Sequence, residues 1–140
     1  MIKRVTIAAL SLAINILTAS AASAAPQGTN SKQASVEFTT SPQPDGQLKL
    51  EFKTVPAKGL KINHDGPWSL EIKDHPGLDI AASKLGRADF SESVPGFSLM
   101  SKPKTKAGKV SFKMVVFVCT ESKSQCFRDV HQGSFDWAVK

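Results

Sequence analysis

The chain has 140 residues, 18 Lys and Arg against 12 Asp and Glu, two Cys and no Tyr. That length suits one domain able to bury a core without dense crosslinking. The modest positive excess is spread along the chain, which argues against a nucleic-acid binder, and no nucleophile elbow, phosphate loop, paired catalytic carboxylates or Ser/His/Asp arrangement can be read, so a hydrolase is not supported.

Residues 1–24, "MIKRVTIAALSLAINILTASAASA", read as a secretory signal peptide. Lys3 and Arg4 open it, the run from Val5 to Leu17 is almost wholly apolar, and Ala22-Ser23-Ala24 supplies a small-x-small cleavage site. The apolar run is shorter than the roughly 20 residues a membrane helix needs. Cleavage after Ala24 is therefore expected to release an exported domain with no stable membrane insertion, in a periplasmic or secreted space that permits disulfides. Residues 25–34, "APQGTNSKQA", are small and polar without periodicity, and are expected to be a flexible lead-in.

From Ser35 onward the alternation is that of strands. In "QLKLEFKTV", Leu48, Leu50 and Phe52 fall on one face and Lys49, Glu51 and Lys53 on the other. "KVSFKMVVFVC" alternates through Val110, Phe112 and Met114 before becoming apolar on both faces, which predicts a central strand; "SFDWAVK" aligns Phe135, Trp137 and Val139. Between the strands, "SPQPDGQ", "NHDGP", "DHPG" and "VPGF" carry the Pro and Gly of tight turns. Only "LDIAASKLGRADF" departs from this, with Ala81, Ala82 and Leu85 suited to a helical turn or two. Short strands with frequent turns predict one all-β domain over residues 35–140, an antiparallel sandwich.

The two cysteines stand at the ends of "CTESKSQC". Cys119 closes the most apolar strand and Cys126 opens the next, so the polar residues Thr120 to Gln125 form the loop of a hairpin with a cysteine on each arm. Facing positions at a hairpin mouth have Cβ separations a disulfide can span. Two readings of the pair follow. As a structural staple in a non-catalytic interaction domain, the bond closes an eight-residue loop, for which the chain-entropy model gives about 2.5 kcal/mol. As a redox pair, it exchanges with partner thiols; Lys123 and Arg128 would favour a thiolate there, and Glu121 and Asp129 would oppose it.

"VPAKGLKINHDGPWSLEI" followed by "VVFVCTESKSQC" resembles the amino-terminal periplasmic domain of the membrane thiol-disulfide interchange protein DsbD and the related free-standing disulfide-corrector domains. Pro56, Gly59, Leu60, Ile62, Asn63, His64 and Pro67 match the early segment of that family, and Val115 to Val118, Cys119 and Cys126 the later one. The resemblance implies an immunoglobulin-like sandwich in which Cys119 and Cys126 alternate between dithiol and disulfide. It implies electrons received from a membrane thiol reductase and passed to exported thiol proteins. The hairpin loop here is longer than in DsbD, and the tyrosines of the family site have no counterparts in a chain without Tyr.

No cofactor or metal is expected. His64, His75 and His131 share no recognisable ligand spacing with each other, with the cysteines or with Met100 and Met114. The run "SKPKTKAGK", with Lys102, Lys104, Lys106 and Lys109, reads as a solvated loop, and Trp68 and Trp137 as core aromatics.

Overall fold

The computed structural model describes residues 27–139. The signal-peptide reading of residues 1–24 lies outside them. Ten strands build the domain: β1 (Gln27–Asn30), β2 (Ala34–Pro42), β3 (Leu48–Pro56), β4 (Leu60–Ile62), β5 (Ser69–Asp74), β6 (Leu78–Ile80), β7 (Lys84–Leu85), β8 (Gly96–Pro103), β9 (Ala107–Thr120) and β10 (Cys126–Ala138). They form two antiparallel sheets, ordered β1-β2-β3-β8-β6 and β10-β9-β5-β7, with β4 also paired to β9. The described residues form an all-β antiparallel sandwich.

The period-2 patterns set which side chains enter the space between the sheets. Leu48, Leu50 and Phe52 of β3 face it, as do Val110, Phe112, Met114, Val116 and Val118 of β9 and Phe135 and Trp137 of β10, all buried. Aromatic rings join the two layers: Phe135 stacks on Phe38 at 4.5 Å between centroids and on Phe112 at 4.7 Å, while Phe52 meets Phe112 at 5.2 Å. Trp68 is buried and stacks on Phe90 at 4.3 Å. As its two-sided apolarity predicts, β9 is interior to its sheet, with β10 on one side and β4 and β5 on the other.

Two segments differ from expectation. Ala81 and Ala82 are not helical: β6 and β7 flank them, and the helical geometry is a single 3-10 turn at Arg87–Asp89. The strand pairing wins because Leu78 reaches the core and Ile72 N–H bonds the carbonyl of Ser83, drawing this stretch onto the sheet edge. Within the polar stretch 25–34, residues 27–30 form β1 and Ala34 opens β2. No apolar alternation marks β1, because its half-buried positions are Gln27 and Thr29, which meet the other sheet through polar bonds.

Candidate functional site

The β9–β10 register places Cys126 directly opposite Cys119, with their Cα atoms 4.0 Å apart and the sulfurs bonded. The next pair outward, Thr120 and Gln125, is joined by Thr120 N–H to Gln125 carbonyl at 2.8 Å. Cys119 and Cys126 are therefore a non-hydrogen-bonded pair, the closer of the two kinds in an antiparallel ladder. The loop between them turns at Thr120–Lys123, where Lys123 N–H bonds the Thr120 carbonyl at 2.8 Å. Its hydroxyls hold it: Gln125 N–H donates to Thr120 Oγ1 at 3.2 Å and Ser122 Oγ to Ser124 Oγ at 2.8 Å. Lys123 sits at φ 58°, in the left-handed region where a side chain is strained.

The two sulfur-bearing residues differ sharply in access. Cys119 is 3% exposed, enclosed between β10 and β4, where Lys61 lies opposite it. Cys126 is exposed, on the outermost strand of its sheet. Both project from the outer face, since the alternate residues Val118 and Phe127 carry the inward positions. Beside them, the loop Asn63–Trp68 crosses the outer face of β9. Asn63 N–H bonds the Phe117 carbonyl at 2.9 Å, Trp68 Nε1 donates to the Asn63 carbonyl at 2.7 Å, and Gly66 lies so close to the Phe117 ring that a Cβ there would collide with it. Asn63, His64 and Pro67 belong to this loop, which lies at the same end of β9 as Cys119.

The charges around the pair do not cancel as their sequence signs suggest. Glu121 bonds Lys61 at 2.8 Å, which holds its carboxyl below the usual range by hydrogen bonding and attraction to the ammonium. Asp129 points inward, where its carboxylate accepts from Ser31 Oγ and lies 2.9 Å from His131 Nε2. Arg128 and Lys123 have no ion-pair partner among the described residues. The rim beside Cys126 is thus cationic.

The inward cluster is a feature that reading by residue type missed. His131 is 3% exposed, with Nδ1 2.8 Å from Thr29 Oγ1 and Nε2 on Asp129, so one imidazole ties β10 to β1 across the sandwich. Counting back by twos from Phe135 gives Gly133, His131, Asp129 and Phe127 on the inner face, and that parity was the available signal. The other histidines lie apart. His64 sits edge-on to Phe90, and His75 Nδ1 bonds the Leu78 carbonyl at 2.9 Å. Among the described residues no three His, Cys, Asp or Glu side chains converge as metal ligands, and no helix is long and apolar enough to cross a membrane.

No family model matches the chain, and no curated protein or solved structure is detectably similar to it.

Proposed function

We propose that this protein is an exported, periplasmic thiol-disulfide exchange module, in which Cys119 and Cys126 pass electrons between a membrane thiol reductase and exported thiol proteins. The observation that carries this reading is the asymmetry of the pair: one sulfur-bearing residue exposed at a sheet edge, the other enclosed. A bond meant to hold the sandwich together would gain most by joining the two sheets. Here both cysteines belong to neighbouring strands already hydrogen-bonded along their length. The immunoglobulin-type arrangement and the export signal at residues 1–24 belong to the same proposal.

A thiolate of a dithiol partner attacks Cys126 Sγ; the intermolecular S–S bond forms as the Cys119–Cys126 bond breaks, and the electron pair leaves on Cys119 Sγ, which takes up a proton. The partner's second thiolate then attacks its own sulfur in the mixed disulfide and releases Cys126. The partner ends as a disulfide and this chain as a dithiol. Run in reverse, the dithiol reduces an exported disulfide.

Single-cysteine variants test the assignment. Cys119→Ser keeps the accessible Cys126 without its resolving thiol, so it accumulates mixed disulfides with exported thiol proteins, while Cys126→Ser, with only the enclosed Cys119, does not. Equal absence of mixed disulfides from both variants, with folded protein in each, contradicts the proposal and leaves the bond a staple.

A further inference from the structure

We propose that the partner docks as an added β-strand along the free edge of β10 at Cys126–Val130, antiparallel to it, through an extended segment of the form apolar-x-acidic-x-Cys. This rests on the exchange reading above and specifies the partner it takes.

Three observations fix which backbone groups of β10 face outward. Thr120 N–H bonds the Gln125 carbonyl and Val139 N–H bonds the Lys106 carbonyl, so the odd-numbered residues of this register face β9. Consistent with that, the N–H and C=O of Asp136, an even position, point away from β9, where the Gln27 side-chain amide meets both at 2.8 and 2.7 Å. That amide makes the two bonds a neighbouring strand would make. Cys126, Arg128 and Val130 have the same parity, so their backbone donors and acceptors also face outward. No such plug covers them among the described residues. Among the described residues the other outer strands β1, β4, β6 and β7 are four, three, three and two residues long, whereas β10 has thirteen, and short edges resist strand addition.

The register then follows from geometry. A residue placed opposite Cys126 on this edge forms a hydrogen-bonded pair, with Cα atoms about 5.5 Å apart. That separation lies in the usual range for disulfides. A cysteine at that place projects from the same outer face as Cys119 and Cys126, which puts three sulfurs in a row across three adjacent strands. Attack on Cys126 Sγ comes from the side opposite Cys119, the in-line approach that displacement at sulfur requires; the new S–S bond forms as Cys119 departs with the electron pair. Arg128 faces the partner residue two before that cysteine and Val130 the residue four before it. Arg128 is exposed without a counter-charge and Val130 is 37% exposed, so an acidic and an apolar side chain complement them.

The probe is the blocked peptide Val-Thr-Glu-Thr-Cys-Thr, compared with glutathione, a thiol too short to add a strand, in rate of mixed-disulfide formation with the oxidised protein. The peptide should react about tenfold faster at equal thiolate concentration, the equivalent of about 1.4 kcal/mol. In the mixed disulfide, the amides of Cys126, Arg128 and Val130 should become protected from hydrogen exchange. Arg128→Glu should erase the advantage, and a peptide with Lys in place of Glu should restore it. Equal rates with unprotected amides overturn strand docking and leave the exchange reading standing. If neither thiol reacts but a Cys→Ser peptide still protects the three amides, docking stands and the exchange reading falls. No reaction and no protection overturn both.

Discussion

The two ends of the β9–β10 hairpin use the same pairing for opposite purposes. At the far end, Phe135 and Trp137 fill the inner face, Phe135 stacks on rings from both sheets, and Gln27 seals the outer edge at Asp136. At the cysteine end the inner face of β10 carries Asp129 and His131, tied to Ser31 and Thr29, beside the buried Val116 and Val118 of β9, and the edge at Cys126 is open. One end of β10 is closed and lined by aromatic rings; the other adds directional polar bonds to the burial supplied by β9 and leaves Cys126 exposed. Hydrogen bonds contribute less net stability than buried aromatic area.

Variants at each end measure that difference. Phe135→Ala, which removes the shared ring, should cost about 3–5 kcal/mol in urea unfolding. A loss under about 1 kcal/mol would show that the aromatic end does not carry the fold. At the polar end, His131→Ala leaves Asp129 and Thr29 short of a partner, with an expected cost of about 1–3 kcal/mol, moderated because Asp129 keeps Ser31. Its unfolding should remain cooperative. Gln27→Ala should cost about 1 kcal/mol and speed hydrogen exchange at the Asp136 amide, making that edge resemble the one at Cys126. An unchanged exchange rate would mean that the amide plug does not protect the edge.

The smallest effect belongs to Glu121. Its carboxyl is held below the ordinary 4.5 by Lys61 in fully exposed surroundings. A lowered folded-state pKa gives a contribution present above the unfolded value and lost as pH falls through the folded one. Solvent and salt screen this pair, so Glu121→Gln should leave the melting temperature at pH 7 unchanged within error, and any difference should vanish as the solution is acidified or as salt is added.

The strands that bury apolar side chains were legible in the sequence because alternation follows directly from the pleat. Leu48, Leu50 and Phe52, the central strand through Met114, the core tryptophans and the cysteine hairpin all lie where their periodicity places them. Strands held by other means were not. β1 carries no apolar residue, and its contacts to β10 depend on a long-range approach of Gln27 and Thr29 that no local pattern encodes. β6 and β7 are too short for period 2 to outweigh the helical tendency of Ala81 and Ala82. At the candidate site, the hairpin was legible, but the exposure difference between its cysteines depends on β4, paired beside Cys119 from distant sequence. The cationic rim was hidden for a related reason: local signs sum near zero, and only the fold turns Asp129 inward and pairs Glu121 with Lys61.

The most direct test of a working redox pair is the reduction potential of the protein, measured by equilibration in graded thiol buffers with the free cysteines trapped for mass analysis. A midpoint between about −270 and −120 mV, where exchange proteins operate, is the expected result. A midpoint below about −300 mV would contradict it and make the Cys119–Cys126 bond a permanent closure of the hairpin.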